Sequence, residues 1–289
     1  MDGFLTRAIA VVRDATDEPE LQPKYTDTKI AAYLQKSYAH VLSEANRCSR
    51  TPVTAQCDIT IVGADEDQAY ALPPVVKAIR EMHMMDDTGN RLEPVRSRGT
   101  SHVWGPKYTL EGTTLKIRAG SFAEGDILRI TFTPSGAAAL HEGVCTIDAT
   151  GTIVTLAETP TKGTRDTRIN AYAGSTLRVL GATTTGNYVQ DRLITAYDVT
   201  TLAATVSPAV SPIPTGTITY EIAPPFDDIL DEAIALDTAL RILGIEGNIA
   251  RQQAISLTYQ TALRDLRLTM AQRNATAGHL AETRIPRRW

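Results

Sequence analysis

The sequence predicts an α+β fold: a helical bundle from N- and C-terminal helices, with a central β-segment and an inserted small all-β module. Three observations predict it. Both ends of the 289-residue chain carry apolar residues at helical spacing. The stretch between them alternates apolar with polar residues. Residues 135–222 shift toward Thr, Gly and Ala, with short alternations at regular intervals that suit several short strands.

At the N-terminus, Leu5, Ala8, Ile9 and Val12 recur at helical spacing and predict a short amphipathic helix. Residues 14–24, polar and Pro-containing, break the pattern. A second helix starts at Thr26 or Asp27, either of which accepts hydrogen bonds from free first-turn amides. Its apolar stripe is Ile30, Leu34, Tyr38, Val41, Leu42 and Ala45, and it ends around 46–51, before Pro52. From Ala55 the period becomes two, with Cys57, Ile59 and Ile61 on one strand face. Leu72-Pro73-Pro74-Val75-Val76 leads into a strand through Ile79 and Met82, and Gly89-Asn90 marks a turn. Residues 108–119 read as a hairpin turning at Glu111-Gly112, with Leu115 and Ile117 on one face. Ile127, Leu128, Ile130 and Phe132 form another strand, stopped by Pro134. Within 135–222 the candidate strands are 145–147, 153–156, 176–180, 192–197, 203–206 and 217–222.

Helices return after Pro224-Pro225. Phe226, Ile229, Leu230, Ala233, Leu240 and Leu243 share one side of a helix whose first turn holds Asp227 and Asp228, where the helix dipole favours acidic groups. Residues 244–247 break it and Asn248 caps the next helix, expected over 249–273 with Ile249, Ile255, Tyr259, Ala262, Leu263, Leu266 and Met270 as its stripe. So short a connection makes the pair an αα-hairpin. The domain organisation is therefore a core of 1–134 and 223–276, an inserted β-module of 135–222, and an extended C-terminal arm of 277–289.

Composition narrows the function classes. A net charge of −4 argues against a dedicated nucleic-acid binder, which usually carries a basic surplus. No apolar run reaches the roughly 20 residues that span a bilayer. Met1-Asp2-Gly3-Phe4 lacks a basic region before an apolar run, so no signal peptide is expected. Cys48, Cys57 and Cys145 are odd in number and far apart, which suits buried thiols in a reducing compartment.

Enzyme chemistry needs converging reactive groups, and the sequence offers none. Nucleophile-elbow, zinc-helix and phosphate-loop motifs are missing. His40, His83, His102, His141 and His279 lie apart, without metal-ligand spacing. His141-Glu142 beside Cys145 is the nearest thing to a cluster, and reads as a surface loop at the start of the module. Asp227, Asp228, Asp231 and Glu232 read as a solvated first helical turn in preference to a metal site. Trp104 reads as a hairpin contact before a stacking platform. No enzyme, cofactor or metal is expected. Charge is segregated at the C-terminus: 223–247 hold Asp227, Asp228, Asp231, Glu232, Asp237 and Glu246 against Arg241. Residues 251–289 hold Arg251, Arg264, Arg267, Arg273, Arg284, Arg287 and Arg288 against Asp265 and Glu282. Two readings stay open: a solvated face with a frayed tail, or complementary faces of a heterologous contact that closes into a ring.

Particular phrases resemble the head-to-tail adaptor (connector) proteins of tailed bacteriophages and gene-transfer-agent-like particles. They are Tyr25-Thr26-Asp27 opening the second helix, Leu72-Pro73-Pro74-Val75 before a strand, and the hairpin from Tyr108-Thr109-Leu110-Glu111-Gly112 to Leu115-Lys116-Ile117. Gly125-Asp126-Ile127-Leu128-Arg129-Ile130 and the Pro225-Phe226 start of an acidic-then-basic helical hairpin complete the set. The resemblance covers 1–134 and 223–289; 135–222 departs from the shorter members, and looks like a small β-module of phage structural proteins.

The resemblance implies a structural virion protein at the head–tail neck, assembled in the host cytoplasm. It would form a ring of twelve subunits that joins the portal protein to a tail, stopper or nozzle protein and lets DNA pass without sequence specificity. It also implies a C-terminal portal anchor: Ile285 and Trp289 supply apolar contacts, and Arg284, Arg287 and Arg288 pair with carboxylates, on an arm freed where Gly278 ends the helical pattern. Asp227, Asp228, Asp231, Arg264 and Arg267 are the expected subunit-interface residues. Another neck or tail-completion protein, or a fibre-associated binding module built on 135–222, remains an alternative. Carbohydrate binding is less favoured, because only 6% of residues are aromatic.

Overall fold

The computed structural model describes residues 3–18, 24–48, 53–62, 68–85, 91–97, 107–117, 123–136, 140–183, 186–223 and 230–282. They divide into two compact units, one spanning Thr54–Pro225 and the other joining Asp2–Val53 to Phe226–Trp289.

The helical unit holds α1 (Phe4–Thr16), α2 (Asp27–Cys48), α3 (Asp231–Glu246) and α4 (Ile249–Glu282). Helix α1 buries Phe4, Leu5, Ala8, Ile9, Val12 and Ala15, the expected stripe extended by Phe4 at its start and Ala15 at its end. Thr26 caps α2: its Oγ1 accepts from the Lys29 N–H and its carbonyl from the Ile30 N–H at 3.0 Å. The six expected stripe residues of α2 are all buried. Helix α3 is buried at every position from Ala233 to Ala239, so it lacks a solvent side over two turns and forms the centre against which α1, α2 and α4 pack. Gly247, at φ 72°, ends α3 in the left-handed region, and Asn248 Oδ1 accepts from the Arg251 N–H to start α4. Helix α4 has 34 residues, about 50 Å at ~1.5 Å per residue. It runs through Gly278 to Glu282, beyond the expected end near 273.

The β unit begins with two four-stranded sheets. In the first, β1 (Ala55–Thr60), β8 (Ile127–Pro134), β3 (Val76–Met85) and β4 (Arg91–Pro94) lie in that order. In the second the order is β2 (Gln68–Ala71), β7 (Thr114–Ile117), β6 (Lys107–Glu111) and β5 (Arg96–Ser97). The β6–β7 turn is Gly112-Thr113, where Gly112 has φ 62°. The inward residues of both sheets, among them Cys57, Ile59, Met82, Leu115, Ile117, Leu128, Ile130 and Phe132, fill one core.

Residues 141–223 form a closed barrel. Strand β9 (His141–Ile147) pairs with β10 (Ile153–Thr155), which pairs with β14 (Ala203–Ser207), then β13 (Gly186–Asp198), β12 (Thr176–Thr183) and β15 (Thr215–Ala223), and β15 returns to β9. A two-residue strand, β11 (Lys162–Gly163), adds to β9. Register shifts at Ile194/Ala196 and Leu180/Ala182 provide the local bends that closure needs. The first also explains why Ile194 and Tyr197, three apart, both face inward. Sandwich and barrel meet at Gly174, whose Cα lies so close to Phe132 that an added Cβ would sit 2.4 Å from Phe132 Cζ.

This corrects the predicted fold class. The chain is mixed but strand-rich, with a two-sheet sandwich and a six-stranded barrel, not a helical bundle carrying a β-segment and a small β-module. Residues 55–134 group with the barrel in one compact unit. Alternation shows where strands lie and which side they bury, but sheet stacking and barrel closure depend on pairings remote in sequence.

Candidate functional site

The acidic-then-basic hairpin α3–α4 uses much of its charge within the helical unit. Asp231, in the first turn of α3, pairs with Arg7 of α1 at 2.9 Å. Asp237, nearly buried, accepts from Arg241 at 2.7 Å one turn on and lies 3.1 Å from His40 Nδ1 of α2. Burial raises the Tyr259 phenol above its ordinary range, and the Asp237 carboxylate adds to that. Glu246 receives Lys24 at 2.7 Å, a hydrogen bond that raises the lysine's pKa.

The basic helix repeats the pattern. Arg251 donates to the carbonyls of Asp14 and Ala15 at 2.8 and 2.6 Å, capping the C-terminus of α1 where carbonyls lack helical partners. Arg267 reaches Glu44 of α2 at 3.4 Å, sharing that carboxylate with Arg47. On α1, Arg13 joins Glu18, Asp27 and the Tyr25 carbonyl, closing the α1–α2 connection.

Of the expected interface residues, Asp231 and Arg267 therefore have partners inside the unit, and Arg264 is exposed on α4. Asp227 and Asp228 lie outside the described residues. So do Arg284, Ile285, Arg287, Arg288 and Trp289, together with His102 and Trp104; the notion that Gly278 ends the helix is corrected by the run of α4 to Glu282.

The outer side of α4 is a feature the charge count does not reveal. Leu257 is 69% exposed and Leu268 51%. Eleven residues is close to three turns, so the two side chains share a face, with Thr261 and Arg264 beside them. Leu266, not Leu263, is the buried leucine of the helix; Leu263 is half-buried and Ile249 exposed.

In the barrel, His141 corrects the surface-loop reading: it is fully buried on β9. Tyr172 and Tyr220 meet it edge-on at centroid distances of 5.0 and 5.4 Å, and Tyr197 meets Tyr172 edge-on at 4.7 Å. Burial pushes the imidazole's pKa down to about 4, and the nearby Arg165 charge acts in the same direction while Asp166 opposes it. Cys145, two residues along the same face, is a buried thiol pushed up to about 12 by desolvation; Cys57 is likewise. Neither supplies a thiolate near neutral pH. On the barrel's outside, Arg178 bridges neighbouring strands: it donates to Asp191 of β13 at 2.8 Å and to Glu221 of β15 at 2.9 Å. Among the described residues, no three His, Cys, Asp or Glu gather to hold a metal ion. No described helix is long and apolar enough to cross a membrane.

No protein-family model matches the chain, and no curated protein matches it.

Proposed function

We propose that the chain is a structural virion protein that forms the head–tail ring beneath a portal, continuing the DNA channel. The reading rests on the ordered phrases that resemble the adaptor family. The observation that carries it furthest is the outer face of α4. A helix that turns Leu257, Arg264 and Leu268 outward has a surface suited to another protein.

In this proposal the α4 face, centred on Arg264, meets a neighbouring subunit, and residues 283–289 anchor the portal. Because Asp231 and Arg267 already hold the helical unit together, the subunit contact is more apolar than the charge pattern suggests. DNA passes the ring through weak, salt-sensitive and sequence-independent contacts. The partners are the portal, further copies of the chain, and a tail, stopper or nozzle protein, with the virion neck as location.

Electron microscopy of the purified chain, alone and with the portal of its own particle, tests the reading. Twelve-fold rings seated on the portal are expected. Ending the chain after Glu282 leaves thermal unfolding unchanged and abolishes portal binding. Equal portal binding by the shortened chain removes the anchor from 283–289, and a full chain that ignores the portal overturns the function.

A further inference from the structure

A strap runs across the barrel from Ala157 to Asn170, and its hydrogen bonds converge on the buried aromatic cluster. The Ala157 N–H donates to Tyr220 Oη at 3.2 Å, and the Asp166 N–H donates to Tyr172 Oη at 2.5 Å. Between them the Thr161 N–H donates to the Glu142 carbonyl at 2.7 Å, and Gly163 pairs with His141 in the β11–β9 ladder. There the backbone is so close that a Cβ on Gly163 would stand 2.2 Å from the Leu140 carbonyl oxygen. At the far end Asn170 Oδ1 accepts from the Tyr197 N–H at 2.9 Å. Both tyrosines that hold the strap by their hydroxyls lie against His141.

The hydrogen bonds join the imidazole to the strap through Tyr220. Tyr220 Oη accepts from Ala157 and lies 3.0 Å from His141 Nδ1. In the tautomer whose ring proton sits on Nε2, the phenol's single proton goes to Nδ1, which then accepts. Nε2 is buried and has no hydrogen-bond partner among the described residues. A second proton, on Nδ1, would face Tyr220 with an N–H in place of a lone pair. The phenol would then receive two N–H groups while its own proton lost its acceptor, in a site that also holds the Arg165 cation.

We propose that His141 is an acid-sensitive latch: protonation of its ring breaks the Tyr220 relay and releases the strap 157–170 from the barrel. The titratable or charged groups around the ring are Tyr172 on the loop before β12, Tyr220 on β15, and Arg165 and Asp166 on the strap. Tyr197 and Cys145 lie one contact further away. Phenols and thiol stay neutral throughout acid titration, since burial moves each of them upward. Asp166 is the nearby group of opposite sign, and it leaves with the strap.

The size of the effect follows from linkage. Closed, the imidazole titrates near 4; released to water, it titrates near its ordinary 6.5. The open state thus takes up the proton first as pH falls, and the closed strap loses stability from about pH 6.5 downward. Between pH 7.5 and 5 the opening constant rises about 30-fold.

Hydrogen exchange on the full chain, corrected for the intrinsic pH dependence, measures this. At pH 5 the amides of Ala157, Thr161 and Asp166 exchange about 30-fold faster relative to pH 7.5, while Val179 in β12 keeps its protection. His141→Gln, which keeps an acceptor but does not titrate, removes most of that difference. Equal changes at the strap and at Val179, or an unchanged pH response in the variant, overturn the latch. Should the variant fail to fold, imidazole ¹⁵N shifts of the wild-type chain decide the matter. A neutral Nε2–H ring that resists protonation at pH 5.5 supports it, and a titration near 6.5 in the folded protein overturns it.

Discussion

Gly174→Ala tests whether sandwich and barrel are one folded body. The residue sits at φ 85°, a left-handed conformation that costs an L-residue about 1–2 kcal/mol. The new methyl carbon would lie 2.4 Å from Phe132 Cζ, 2.9 Å from its Cε1 and 3.1 Å from the Gln56 carbonyl oxygen. Phe132 is fully buried in the sandwich core, so its ring has no free volume to enter. Overpacking of this kind costs about 1–3 kcal/mol. The two terms give a loss of about 2–5 kcal/mol in urea unfolding followed by circular dichroism. The steric term belongs to the pair, so Phe132→Leu should relieve it: the double variant should be about 1–2 kcal/mol more stable than the sum of the single losses predicts. A loss below about 0.5 kcal/mol, or strict additivity with Phe132→Leu, would show that Gly174 and Phe132 do not press on each other and that the two β bodies are not welded there.

Two further outcomes follow from named contacts. Arg178→Met withdraws the guanidinium from Glu221, which is 1% exposed, and should cost about 3 kcal/mol in urea unfolding at pH 7. Asp191, half exposed, adds little to that figure, and Glu221→Gln should restore much of the loss; a cost under 1 kcal/mol would mean that Glu221 is not left uncompensated when Arg178 is withdrawn. In the helical unit Leu266→Ala should cost about 2–5 kcal/mol and Leu263→Ala clearly less, because Leu266 is the buried one. The reverse order of melting temperatures would mean that α4 is rotated about its axis by roughly 60°.

The six alternations read between 145 and 222 are all strands of the barrel, because each carries its own inward and outward sides. Closure was not legible. The pair Val154↔Ile147 that brings β10 back to β9 looks the same in sequence whether the sheet is open or shut. His141 was misplaced for a related reason: a histidine in a Gly- and Ala-rich neighbourhood suggests a loop. The parity of His141, Gly143 and Cys145 was the available clue, since all three fall on the buried side of β9. The Arg178 bridge had no local signature at all. Asp191 and Glu221 stand 13 and 43 residues away, and only the strand register brings them to one guanidinium.

In the helical unit, charges that the sequence sets apart meet one another within the fold. Acids in α3 and arginines in α4 suggest two complementary faces, and complementary faces suggest association. Yet Asp231, Asp237 and Glu246 each meet a cation of their own unit, and Arg251 and Arg267 are spent on α1 and α2. Asp231 and Glu246 stand near the ends of α3, while Asp237 lies in the stretch buried over two turns. An acid held there needs a partner nearby, and the flanking helices supply one. Among the described residues of α4, Leu257, Arg264 and Leu268 face outward together with the polar Thr258, Gln260, Thr261 and Asp265. Among the described residues, Asp231, Asp237, Glu246, Arg251 and Arg267 thus spend their charge within the fold.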